Sequence, residues 1–266
     1  MAAALICASL TACQTTPAPE RTGDKASTIP TQPDKEHYHF VEREDSAPHK
    51  VYRETDGDET LYISNTCEKV SFVAYERVDS QAAKKMNDFL DNVYNNHRTS
   101  SDTMIKDLDG YLLSESVDLS VFPWETKVDY SCTRNDGMAI SIIETIDFYA
   151  ANKLEGTTVR TFNFDPLTGD LINNIFYTAG DTESLDAADE MIYNKLISQY
   201  GEESGITYSM PALTSMVDEA IPGWYFTETG IKIIFNPGSI APIENGTFEL
   251  EIAKEDLPED AQKYFN

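Results

Sequence analysis

Between Glu125 and Tyr177 strand-like runs follow one another across connections of only a few residues. Thr126 to Cys132, Met138 to Tyr149 and Thr157 to Phe164 are rich in Ile, Val, Thr and aromatic residues, the composition of a pleated surface. Asn135-Asp136-Gly137 separates the first two runs, and Asp-Gly supplies the positive φ that tight hairpins need. Asp165-Pro166-Leu167-Thr168-Gly169 follows the third; Pro fixes φ early in a turn and Gly accepts the left-handed position at its end. Leu171 to Tyr177 then reads as a return strand. A parallel crossover needs a dozen or more residues, so these connections force mostly antiparallel pairing. Gly223 to Thr227, Ile231 to Asn236 and Thr247 to Ile252 repeat the pattern, with Thr229-Gly230 as a hairpin.

Helices interrupt the strands in two places, two helices at each. After a β-rich run from Val70 to Arg77, Ser80 caps a helix to about His97, with Ala82, Ala83, Met86, Phe89, Leu90, Val93 and Tyr94 on one face. Residues 102–116 read as a poorer helix interrupted by Gly110. Thr182 to Tyr200 reads as a long helix facing inward through Leu185, Ala188, Met191, Ile192 and Leu196 and stopped by Gly201. Leu213 to Ala220 reads as a shorter one ended by Pro222. The expected class is α+β: mostly antiparallel sheets with helices packed on one side, in two subdomains, 61–160 and 161–266.

The first thirteen residues point outward from the cytoplasm. Residues 2–12 carry no charge and are mostly small or apolar, as in a secretory leader, and the run ends in Leu10-Thr11-Ala12-Cys13. That order resembles a bacterial lipobox, which implies cleavage before Cys13 and lipidation of its thiol. Acyl chains contribute about 0.8 kcal/mol per buried methylene, so two or more anchor stably. Residues 14–60 hold five prolines, 11 acids and 6 bases, and read as an acidic tether. His37, His39 and His49 lie in it and are expected to be solvated linker residues. Asp56-Gly57-Asp58-Glu59 lacks calcium-loop spacing and reads as a turn into a strand.

The chain has 20 Lys+Arg against 46 Asp+Glu, a formal net charge of −26. Such a polyanion repels phosphate backbones, which excludes a nucleic-acid partner. Residues 61–160 carry 16 acids and 10 bases, whereas residues 161–266 carry 19 acids and 4 bases. A cationic protein would be steered to the second half; the same charge also serves simple solubility. No Gly-x-Ser-x-Gly, His-Glu-x-x-His, phosphate-binding glycine loop or Cys-x-x-Cys is present. No catalytic residue, metal site or cofactor is therefore assigned. His97, at the expected helix end, reads as satisfying local carbonyls. Outside the cytoplasm Cys67 and Cys132 are expected to form a disulfide closing a loop of about 65 residues; the alternative is two half-buried thiols.

Phe164-Asp165, Thr168-Gly169 and Leu171, then Trp224 to Pro237, then Ile240-Ala241-Pro242, Gly246 and a strand to Ile252 together resemble one bacterial family. It comprises the paired extracytoplasmic domains of RsiV-type anti-sigma factors and PdaC-type peptidoglycan deacetylases, and the resemblance covers roughly residues 60–260. It implies an envelope binding module; in the RsiV type the corresponding region binds lysozyme. Neither a sigma-binding segment nor a deacetylase domain falls within the resemblance. The expectation is thus a lipid-anchored, extracytoplasmic binding protein without catalysis, for lysozyme or a cell-wall ligand. The alternatives are a peptidoglycan- or glycan-acting enzyme and a structural accessory lipoprotein.

Overall fold

A computed structural model of the chain describes residues 38–43, 48–55, 58–75, 80–112, 119–173, 175–176, 182–206 and 223–265. Its elements run β1 (Tyr38–Glu42), β2 (His49–Thr55), β3 (Asp58–Cys67), β4 (Val70–Ala74), α1 (Ser80–Leu112), β5 (Trp124–Asn135), β6 (Ile140–Ala150), β7 (Lys153–Phe164), α2 (Thr182–Tyr200), β8 (Gly223–Phe226), β9 (Gly230–Phe235), β10 (Phe248–Ala253) and a one-turn α3 (Glu259–Gln262). The class is α+β. One sheet has the order β2-β3-β5-β6-β7, a second β10-β9-β8, and β1 pairs with β4 as a ribbon. Pairing is antiparallel throughout except for β3 beside β5, where Ile63 faces Trp124 and Cys67 faces Val128 in parallel. That pair is joined through β4 and α1, a connection long enough for a crossover.

Each sheet carries its helix on one face. Met86 and Leu90 of α1 are buried among Tyr38, Phe72, Ile140, Ile142 and Phe164. Asn87 fixes the helix to β4 by accepting from the Phe72 N–H at 2.7 Å and donating to its carbonyl at 2.8 Å. Ala188, Ile192 and Leu196 of α2 pack on Ile231, Ile233, Phe235, Phe248 and Leu250. The opposite faces of the two sheets meet, with Ile143 and Val159 against Ile234. This explains why β9 is buried nearly end to end.

The joint between the sheets is polar where β8 presents its edge. Phe226 N–H donates to Ser141 Oγ at 2.9 Å, and Trp224 N–H to Thr161 Oγ1 at 2.8 Å. Asn163 Nδ2 donates to the Trp224 carbonyl at 2.7 Å. Ser141 and Asn163 are buried polar residues, and these bonds supply the partners that burial demands. Arg134 of β5 adds a clamp, donating to the carbonyls of Thr227 at 3.2 Å and Tyr264 at 2.7 Å.

Several expectations are corrected. The tether does not extend to residue 60: β1, β2 and the start of β3 fall within it, and Tyr38 is fully buried. Composition over a long window hid the short alternation Tyr38-His39-Phe40-Val41, and Tyr38 faces Ala74 across the ribbon. His39 and His49 are accordingly strand residues, His39 with its ring 3.8 Å from that of Tyr75. The two helices expected over 80–116 are one, because a glycine weakens a helix by only about 1 kcal/mol and Gly110 does not end α1. The expected return strand is a single bridge, Leu171 to Phe164, after which Ile175 and Phe176 turn into the C-terminal core. The subdomain boundary at 160/161 falls inside β7. Residues 1–13 with Cys13, and the expected helix at 213–220, lie outside the described residues.

Candidate functional site

On the α1 face of the large sheet three polar residues stand in one row. Tyr130 on β5 faces Glu144 on β6, and Glu144 faces Arg160 on β7. His97 of α1 reaches down onto the row. Glu144 is fully buried, and every neighbour in the row addresses its carboxylate. Tyr130 donates its hydroxyl to Oε1 at 2.7 Å, His97 Nε2 lies 2.8 Å from the same oxygen, and Arg160 donates Nε to Oε2. Arg160 Nη2 is 2.9 Å from His97 Nε2. That nitrogen has one role at a time: protonated it donates to Glu144, unprotonated it accepts from Arg160.

Electrostatics follow from this packing. Burial opposes ionisation of Glu144, but the hydrogen bonds from His97 and Arg160, helped by their charges, outweigh it and hold the carboxyl below its ordinary range. Burial pushes the Tyr130 phenol upward, and the Glu144 charge pushes it further. Cys67, beside Tyr130, is pushed up to about 12, first by burial and then by Glu144. A thiol and a phenol so raised are neutral at physiological pH and are poor nucleophiles. The Glu144 carboxylate, already holding its donors, serves to fix Arg160.

Arg160 borders a cleft of about 470 Å³ beside β7, walled also by Phe89, Phe162, Asn163, Trp224 and Asn236. The guanidinium lies near the Phe162 ring, 5.8 Å from its centroid, and the side chain is 45% exposed. None of the described residues lining the cleft is Asp, Glu, His or Cys. Among the described residues no group of three His, Cys, Asp or Glu could hold a metal ion, and no helix is long and apolar enough to cross a membrane.

The expected disulfide is not formed: Cys67 and Cys132 are not bonded to each other. Register explains it. Cys67 faces Val128, so Cys132 lies four residues further along β5, about 13 Å at strand rise, whereas bridged Cα atoms stand about 4.4–6.8 Å apart. Each thiol instead lies near a carbonyl, Cys67 that of Glu68 at 3.6 Å and Cys132 that of Arg134 at 3.4 Å. His97 lies within α1, not at its end, and binds a side-chain cluster that sequence reasoning missed. Two signals were present. Glu144 occupies the apolar parity of Ile140, Ile142 and Ile146, and His97 continues the buried helical stripe of Met86, Leu90, Val93 and Tyr94.

Comparisons bear on the fold. No curated protein matches the chain. A solved structure of a DUF3298 family member from Bacteroides fragilis is similar over 86% of this chain and 97% of its own, at 14% identity and a TM-score of 0.54. A DUF3298 family protein from Pseudomonas aeruginosa covers 85% of this chain and 97% of its own, at 9% identity and a TM-score of 0.56. Residues 173–255, from the end of the cleft wall through α2 to β10, match the family model described as "Protein of unknown function (DUF3298)".

Proposed function

We propose that the chain is an extracytoplasmic, lipid-anchored binding module that performs no catalysis. The observation that carries this reading is the division of labour around Arg160. The open cleft has amides, aromatic rings and one guanidinium on its walls but no acid, base or thiol among its described residues. The carboxylate that Arg160 holds, Glu144, is fully buried and saturated by donors. A glycosidase needs two carboxylates flanking the scissile bond, about 5–9.5 Å apart; this arrangement offers none to a substrate. The anchor rests on the Leu10-Thr11-Ala12-Cys13 motif, and the envelope setting on the resemblance to RsiV- and PdaC-type domains.

The partner best matched to the surface is a cationic protein such as lysozyme. Residues 161–266 hold 19 acids against 4 bases. Two of those bases are already paired, Lys195 with Asp256 at 2.9 Å and Lys232 with Glu249 at 3.1 Å. Capture of lysozyme by the immobilised chain should be strong at low ionic strength and fall steeply with added salt, since exposed charges are screened within about 10 Å at 0.1 M. The same preparation should release no product from purified peptidoglycan. Glycan turnover abolished by changing one carboxylate would overturn the non-catalytic reading. Lysozyme capture indifferent to salt would remove the electrostatic partner.

A further inference from the structure

The cleft contains an unusual gap in a sheet edge. β7 is the outer strand of the large sheet. Along an antiparallel edge, alternate residues turn both N–H and C=O away from their neighbour strand. Val159 is one of these: its N–H donates to Asn236 Oδ1 at 2.8 Å, and its carbonyl accepts from Asn236 Nδ2 at 2.9 Å. Asn163 is another, its carbonyl accepting from the Ile172 N–H at 2.8 Å. Thr161 lies midway between them with the same parity and lines the cleft. Its hydroxyl accepts from Trp224, but nothing among the described residues takes its backbone N–H or C=O. Asn236 shows, one repeat away, that an amide docks on this edge through two bonds.

We propose that the cleft binds a short peptide of two or three residues bearing a carboxylate, with one peptide residue pairing with Thr161 as an added strand. This deepens the binding-module reading and rests on it. A residue in extended conformation turns its N–H and C=O the same way and so satisfies both groups of Thr161, the geometry of strand addition. A longer strand gains nothing, because its next outward amides would meet Val159 and Asn163, whose outward groups are already held. Buried amides without partners are costly. A cavity of about 470 Å³ also lies within the small-ligand range of about 300–1,000 Å³. Side chains alternate across a strand, so the residue beside the paired one lies on the Arg160 face of the sheet. Arg160 uses Nε for Glu144 and approaches His97 through Nη2. Nη1 takes part in neither contact and is placed for a ligand carboxylate, the partner a guanidinium suits best. Glu144 and His97 act here as positioning residues.

The test is calorimetric titration of the purified full chain with N-acetyl-Ala-Glu. Two analogues accompany it, one N-methylated at Ala and one carrying Gln amide in place of Glu. The parent should bind, and each analogue should bind at least about tenfold more weakly, the scale of one hydrogen bond to a charged group or strand partner. A third peptide extended by four residues should gain no affinity. Gly223→Val should abolish binding, because a Cβ there lies 3.3 Å from the Thr161 side chain and 3.7 Å from its backbone nitrogen; thermal melting checks that this variant folds. Equal binding of parent and N-methyl peptide by the unaltered protein would overturn the proposal without reference to any variant. Absence of binding at millimolar peptide would overturn it too, and would leave the non-catalytic reading, judged by turnover, standing. Cleavage of the bound peptide would uphold the site and overturn that reading.

Discussion

The two sheets solve the same problem with different chemistry. The C-terminal sheet is closed by apolar burial: Phe226, Ile231, Phe235 and Ile252 are fully buried, and its helix contributes Ile192 and Leu196. The large sheet has an apolar stripe at one end of α1, around Met86 and Phe72, but beside it a fully buried carboxylate. A cluster of this kind is weak evidence for stability, since apolar groups of similar volume do as well or better. Its yield is orientation: Glu144 fixes one guanidinium at the mouth of a cleft. The apolar half holds the fold, and the charged half holds a geometry. The two should therefore differ in how they fail.

The largest effect should come from the apolar half. Phe226 is fully buried and packs against Trp224, Tyr264 and Phe265, with ring centroids 5.1, 5.1 and 5.6 Å away. Phe226→Ala should cost about 3–5 kcal/mol by lost transfer energy and cavity formation. Urea unfolding should show this loss unchanged between neutral and mildly acidic pH, because no ionisable partner of the ring changes state there. A strongly pH-dependent loss would break the contrast between the halves.

Next comes Glu144. Its folded-state pKa is lowered, so its contribution is fully present above the unfolded value of about 4.3 and is lost as pH falls through the lower folded value. Glu144→Gln keeps the shape but leaves Arg160 without its counter-charge. Breaking a buried pair costs about 3–5 kcal/mol; the expected figure is nearer 2–3, because the half-exposed Arg160 can recover water. The loss should be clear at neutral pH and shrink in acid, as the unaltered protein loses the same contribution. Glu68 and Asp129 work the other way: burial raises both carboxyls, so the fold gains as they protonate. The difference between variant and parent, followed from pH 7 to pH 3 by chemical denaturation, isolates Glu144 from them.

The sequence exposed the apolar half and hid the charged one, for a physical reason. Turns and faces are local: the chain turns at Asp136-Gly137 as expected, but the Asp136 carboxylate holds the turn, accepting from the N–H groups of Met138 at 2.8 Å and Ala139 at 2.9 Å, and Gly137 is not among the positive-φ glycines. α2 runs from Thr182 to Tyr200, the bounds expected from its apolar face and from Gly201. The Glu144 row is assembled by register across three strands and a helix, and register is not a local property. His97 and Glu144 are 47 residues apart, and nothing at either position names the other. The same limit undid the disulfide: Cys67 and Cys132 both lie in strands that pair, but in a parallel register that keeps them apart.

Gly169 tests how firmly the two halves are coupled through the turn after β7. Its φ is +71°, and an added Cβ would lie 2.4 Å from the carbonyl oxygen of Ala82 in α1. The backbone term alone costs about 1–3 kcal/mol, and the clash is with helix backbone, which cannot swing aside. Gly169→Ala should therefore lower stability by more than about 2 kcal/mol, at least the cost of Glu144→Gln. It should also shift the amide resonances of the first turns of α1 and leave those of α2 in place. Shifts reaching α2 would mean that the turn, and not the Arg134 clamp, couples the halves.

The smallest effect runs in the opposite direction. The β6–β7 hairpin turns through Ala151 and Asn152, with φ of 50° and 63°. Positive φ at both central positions is the type that favours Asn-Gly; Ala is a poor occupant of the first, because its Cβ crowds the carbonyl in the left-handed region. The turn persists because the Ala151 N–H donates to the carbonyls of Val121 and Pro123, each at 3.0 Å. Those bonds are made by backbone and survive any substitution other than proline. Ala151→Asn should relieve strain without adding unfolded-state freedom, so it should stabilise by about 0.5–1 kcal/mol. Ala151→Gly should gain less, because glycine gives part of the relief back as chain entropy. Thermal melting should therefore rank Asn above Gly above Ala. The reverse order of Asn and Gly would mean that sterics around the Cβ, and not the left-handed backbone, dominate at this end of the sheet.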